Sequence, residues 1–276
     1  MEKNALRKLS AVMAAFLFIV MVTANGLANA LPLNGVNTGQ LSDEIPNLFV
    51  PAGLTFAIWG LIYALLLGYA IAGLVAAFGK PGTARGSALW SANDGWIFSI
   101  NAALNTAWIF AWHWRMVGLS LVLMLGILLT LLMLLERGYK ANAALKAAGA
   151  GQAKGQKALD FFLWRPILVY LGWICVATIA NVTALLVTAG WNGFGIPELW
   201  WTVLVVAVGA IVGLYLVLQR GAVSAGLVVI WAYAGIVIKR GAVDPMETMP
   251  IIIAAVAGAI LVAAASVYQL ALRRKA

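Results

Sequence analysis

A chain of 276 residues, 64% of them hydrophobic and only 10% charged, is not a water-soluble globular domain. Its net charge of +9 falls in the gaps between apolar runs, so the charge reads as topological and nucleic acid is not an expected partner. The single cysteine, Cys175, excludes an intrachain disulfide and a thiolate metal site.

Eight apolar runs predict an all-α integral membrane protein of about eight spans. They lie at 9–31, 51–78, 95–112, 116–135, 163–189, 198–219, 222–238 and 249–272, each able or nearly able to cover a hydrocarbon core of roughly 30 Å. Lys3, Arg7 and Lys8 precede the first run, and Ala28-Asn29-Ala30 has the form of a signal-peptidase site. The run is nevertheless long enough to span, and Asn25 and Asn29 stand one helical turn apart, so it is read as a first helix. Cleavage, the alternative, would leave seven spans and an outside N-terminus. The following loop, 32–51, carries Asp43 and Glu44 without a basic residue and is expected to form an external lid.

After the second run, the turn-rich segment 79–93 is assigned to the cytoplasm. His113-Trp114-Arg115 makes a tight external turn between the third and fourth runs. His113 is expected to face solvent there rather than to serve as an axial haem ligand. Segment 136–160 reads as a frayed helical extension followed by a flexible cytoplasmic linker. Gly190 to Pro197 is dense in turn formers and divides the chain into a five-helix unit, 1–190, and a three-helix extension, 191–276. With eight spans, fifteen Lys and Arg residues fall on the side of both termini and three, Arg115, Lys239 and Arg240, on the other. That bias puts both termini in the cytoplasm of a multi-pass cell-membrane protein, with membrane lipid as an expected partner.

Polar stripes cut through these apolar helices. Asn101, Asn105, Trp108 and Trp112 share one face; Tyr170, Trp173 and Asn181 share another; Trp59 with Tyr63 and Asn25 with Asn29 repeat the i, i+4 step. Groups of this kind are costly against lipid and converge inside a bundle, where each Asn alone is adequately explained as interhelical glue. Asn25, Asn29, Asn105 and Asn181 fall in the outer half, beside Trp59 and Trp108, and that shared depth favours a cavity with an external mouth. Trp90, Trp96, Trp112, Trp114, Trp164, Trp191, Trp200 and Trp201 lie at span ends and read as interfacial anchors, whereas Trp59, Trp108, Trp173 and Trp231 lie deeper. No ionisable group stands mid-span, which argues against ion-coupled transport. No catalytic set or metal-ligand cluster is visible, so no cofactor is obligatory. The sterol-type spacings Val229/Tyr233/Lys239 and Arg165/Tyr170/Val176 are too loose to carry weight.

In order and spacing, Pro51 with Trp59-x3-Tyr63, Asn105-Thr106-x-Trp108 before a basic turn, and Tyr170-x2-Trp173 with Asn181 resemble the TspO/translocator protein family. The resemblance covers about 9–189, with Gly53 where the family usually has Trp and Pro166 farther from Tyr170 than usual. It implies a TspO-like five-helix bundle, here with three further helices, and a membrane receptor or sensor that binds tetrapyrroles (porphyrin or haem) or similar planar hydrophobic ligands. A homodimer is consistent with it. The expected ligand-binding residues are Trp59, Tyr63, Asn105, Trp108, Tyr170, Trp173 and Asn181, with Asn25 and Asn29. The alternatives are a transporter or facilitator of small hydrophobic molecules and, in third place, a porphyrin-degrading enzyme.

Overall fold

The computed structural model describes residues 2–31, 33–79, 90–147 and 156–275. The turn-rich assignment over 80–89, the flexible linker over 148–155 and the basic residues Lys80, Arg85 and Lys154 within them lie outside the described residues. Among the described residues all regular structure is helical. The long helices are α1 (Glu2–Ala30), α3 (Ile58–Phe78), α4 (Ala92–His113), α5 (Val117–Ala147), α6 (Gln156–Thr188), α7 (Glu198–Leu218), α8 (Val223–Val243) and α9 (Met249–Lys275). A short α2 (Thr38–Glu44) and a 3-10 turn over Gly53–Ala57 lie in the loop between α1 and α3.

Among the described residues seven helices are long and apolar enough to cross a membrane: Lys3–Ala30, Gly53–Phe78, Val117–Ala147, Lys157–Thr188, Glu198–Leu218, Val223–Val243 and Met249–Arg273. The remaining long helix, α4, has 22 residues and so a length of about 33 Å, but Asn93, Asp94, Asn101 and Asn105 keep it below that apolar mark. Its setting explains the composition. It packs along α1 on one side and α5 on the other, and Asn101, Asn105, Ser99 and Asp94 are all buried. Ser91 and Asp94 start it with a capping box, and Asp94 also holds Arg137 of α5 at 2.6 Å.

Side-chain contacts sort the helix termini into two ends of an up-and-down bundle. At one end Arg7 donates to the Ala77 carbonyl, Arg137 meets Asp94, Arg220 pairs with Glu136, and Arg273 reaches the Gly221 carbonyl. At the other, Arg115 pairs with Glu44 at 2.6 Å, Lys239 with Asp43, and the Leu48 N–H donates to Glu198 at 3.0 Å. The extension expected to fray after Glu136 is instead a packed part of α5. Tyr139 meets the Trp164 ring edge-on at 5.0 Å, and Gly138 lies directly beneath that indole.

Helices α7–α9 dock through α8. A methyl group on Gly172 of α6 would stand 2.7 Å from the Ala225 carbonyl oxygen, so the two backbones touch only because residue 172 has no side chain. Farther along α8, the Gly235 carbonyl accepts from the Ala52 N–H at 3.0 Å, and the Trp231 indole donates to the Thr55 carbonyl at 3.0 Å. Tyr233, fully buried, donates to the Val206 carbonyl. These contacts make Trp231, Tyr233 and the sterol-type spacing around them packing and docking residues. One continuous buried core runs from α1 through α8 into α9.

Candidate functional site

The polar stripes of four helices meet near the end that carries α2. Trp59 of α3 is the hub. Its ring stacks on Tyr63 at 5.4 Å and lies 6.2 Å from Trp108 of α4, with Tyr170 and Trp173 of α6 edge-on at 6.0 and 6.1 Å. Trp108 stacks in turn on Trp112 at 6.0 Å, and Phe56 meets Trp173 at 5.9 Å. The i, i+4 spacing on α3 and α4 produces both stacked pairs.

A chamber of about 40 Å³ lies among these rings. Trp59, Phe56, Trp108, Trp112 and Trp173 supply its aromatic walls, and Val176, Ala177, Ala180, Asn181 and Ala184 its α6 side. The loop between α1 and α3 roofs it with Thr38, Ser42, Ile45, Asn47, Val50 and Pro51. The roof is anchored by the Asp43 and Glu44 ion pairs and by His113. That histidine is fully buried, not turned to solvent, because the loop folds over it: Nδ1 lies 3.0 Å from the Leu33 carbonyl and Nε2 3.2 Å from the Thr38 hydroxyl. A carbonyl only accepts, so Nδ1 carries a proton, and the Thr38 hydroxyl, able to donate or accept, partners Nε2.

Of the nine residues expected to bind ligand, Trp59, Trp108, Trp173 and Asn181 line the chamber. Asn25, Asn105 and Tyr170 lie outside its lining as a buried hydrogen-bonded chain. The Asn25 amide donates to Asn105 at 2.9 Å, and the Asn105 amide donates to the Tyr170 hydroxyl at 2.7 Å. Tyr63 supports Trp59 from behind. Asn29 is exposed outside the chamber, where its side-chain Oδ1 accepts from the Thr38 N–H at 3.2 Å and ties α1 to α2. Asn101 turns toward α5, donating to Thr130 at 2.8 Å and the Ile127 carbonyl at 3.1 Å. That is interhelical glue.

Sequence reasoning put Trp112 and Trp90 at the interface; both are buried. For Trp112 the signal was its i, i+4 step from Trp108, which outranks its position near a span end. Ser120 was missed altogether. Its hydroxyl donates to the side-chain Oδ1 of Asn181 at 2.5 Å, the acceptor that Trp108 Nε1 also approaches at 3.5 Å.

The chamber is short of acceptors. The indole nitrogens of Trp112 and Trp173, both in its wall, are buried without a hydrogen-bond partner. An unsatisfied buried donor costs about 1–3 kcal/mol, so the site favours an occupant that accepts hydrogen bonds. No Asp, Glu, Lys or Arg lines it, and among the described residues no cluster of His, Cys, Asp and Glu could hold a metal ion.

The sequence model of one family, described as TSPO-like protein, matches residues 11–268. The chain belongs to the TSPO-like family. The match takes in α7–α9 as well as the five preceding long helices, and it places the protein among multi-pass membrane proteins of the sensor and binding type, not among cofactor-dependent enzymes. No curated protein and no solved structure matches the chain.

Proposed function

We propose that this TSPO-like protein is a membrane receptor whose aromatic chamber binds a planar, neutral-faced amphipathic ligand that accepts hydrogen bonds, with a tetrapyrrole as the leading candidate. The unpartnered indole N–H groups of Trp112 and Trp173 carry this reading. Flat indole faces offer stacking surface, and the two donors suit carbonyl, carboxylate or ring-nitrogen acceptors on a macrocycle rim.

Size sets the mode of binding. About 40 Å³ holds roughly three waters at 10–15 Å³ each, whereas ligand pockets run to about 300–1,000 Å³. A macrocycle therefore requires the roof over residues 45–51 to lift from the rings. In this reading the roofed end faces outward and both termini face the cytoplasm of the cell membrane, as the basic residues at the opposite end favour. Residues 1–190 form the receptor unit, with 191–276 its buttress.

Titration of the purified protein with protoporphyrin IX and with haem, read by tryptophan quenching, tests the proposal. Saturable quenching should weaken about tenfold or more in the Trp108→Ala/Trp173→Ala variant, in line with a few kcal/mol for lost ring contacts. Linear quenching, or equal affinity in wild type and variant, would refute it.

A further inference from the structure

A larger cavity than the chamber lies elsewhere among the described residues. A cleft of about 580 Å³ opens between α6 and α7, in the size range of sites for drug-sized ligands. It exists because α7 packs mainly on α9 and α8 and touches α6 only sparsely. The connection between them, which includes left-handed residues at Gly190, Gly193, Phe194 and Gly195, carries the chain across the gap. Trp191 and Trp201, 4.9 Å apart, close the cleft at this end, with the Trp201 indole donating to the Gly193 carbonyl at 2.6 Å. Below them Leu186 of α6 faces Val205 and Val208 of α7, and Phe49 forms the inner wall.

One charged residue lines this apolar space. Glu198, the first residue of α7, is exposed at the mouth. One of its oxygens accepts from the Leu48 N–H; among the described residues it makes no ion pair, unlike Asp43 and Glu44 nearby. Arg240, buried on α8, feels the Glu198 carboxylate without pairing to it. No Lys or Arg lines the cleft, and the hydroxyls of Thr178, Thr183 and Thr202 are spent on their own helix backbones. An apolar slot open toward lipid, with a single unpaired carboxylate at its interfacial mouth, complements an apolar chain bearing a positive head.

We infer that the α6–α7 cleft is a second ligand site, separate from the aromatic chamber, for a single-chain amphiphile with a primary ammonium head group. The chain lies between Leu186 and Val205, the head meets Glu198, and Trp191 and Trp201 cover it. Asn47 lines both the cleft and the chamber roof, so an occupied cleft braces the inner wall of the segment that must lift for the chamber to open.

The test uses the full chain in lipid nanodiscs and a chain-brominated alkylamine, with the brominated alcohol of equal length as the uncharged control. Quenching by the amine should saturate at a concentration about two- to fivefold below that of the alcohol, the scale of one partly exposed ion pair. Glu198→Gln retains an oxygen for the Leu48 N–H and removes only the charge; it should bring amine and alcohol together. Trp191→Phe keeps the ring cover and should lower the quenching amplitude at unchanged affinity. Trp108→Ala should leave the amine isotherm intact, which separates this site from the chamber. Equal binding of amine and alcohol to wild type, or a preference that survives Glu198→Gln, would overturn the inference and leave the cleft as a lipid-filled groove. So would loss of amine binding in Trp108→Ala.

Discussion

At the scale of single residues, the polar groups inside this bundle divide into those that are satisfied and those that are not. Asn25, Asn105 and Tyr170 satisfy one another across α1, α4 and α6. Removing the middle member leaves the buried Tyr170 hydroxyl without its donor, while Asn25 keeps its bond to the Met21 carbonyl, so Asn105→Ala should lower stability by about 1–3 kcal/mol, seen as a fall in the thermal unfolding midpoint in detergent. An unchanged midpoint would mean the chain contributes nothing to the fold. Trp112 and Trp173 are the opposite case: their indole donors lack protein partners, the observation on which the proposed binding role rests. The asparagine stripes were legible from spacing alone. Which of them would meet each other and which would face the chamber was not, because both outcomes give the same i, i+4 pattern. Asn101 and Asn105 sit one turn apart on α4, yet one bonds to α5 and the other to α1 and α6.

At the scale of helices, close approach decides the packing. Gly172 lets α6 meet the backbone of α8, whereas a methyl group on Gly118 of α5 would have nothing within 4 Å. Gly172→Ala should therefore destabilise the bundle by about 1–3 kcal/mol through overpacking. Gly118→Ala should be neutral or stabilising by up to about 1 kcal/mol through helix propensity. Parallel unfolding curves of the two variants check the contrast, and equal effects would contradict the assigned contact. Helix existence and order were readable because long apolar runs between basic gaps leave little choice in a bilayer. Helix α4 shows where that reading blurs. Its polar residues keep it below the apolar threshold, and only its buried place between α1 and α5 shows how the fold accommodates them. His113 was misjudged for a related reason: a tight turn looks solvent-facing until another loop is known to cover it.

For the whole molecule, the loop between α1 and α3 is the part that ties the helices together at the end that carries α2. It reaches α4 through His113, the start of α5 through Arg115, α7 through Glu198, and α8 through Lys239 and the Gly235 carbonyl. Such a roof opens only by breaking several weak ties together. Lys239→Ala removes one exposed ion pair, worth about 0.2–1 kcal/mol. Stopped-flow quenching should then show ligand association up to about fivefold faster; an unchanged or slower rate would mean that access does not pass beneath this loop. The family was open to sequence reading because its motifs are local. The α6–α7 cleft was not, since it arises from how far two helices splay.

The most direct measurement of the receptor account is a spectrum of the indole N–H groups in protein labelled at tryptophan nitrogen, recorded with and without saturating protoporphyrin IX. The Trp112 and Trp173 resonances should move downfield as their N–H groups gain acceptors. Trp90, equally buried and unpartnered but distant at the opposite end of the bundle, should stay in place. Stationary Trp112 and Trp173 signals, or shifts shared with Trp90, would contradict ligand binding in the aromatic chamber.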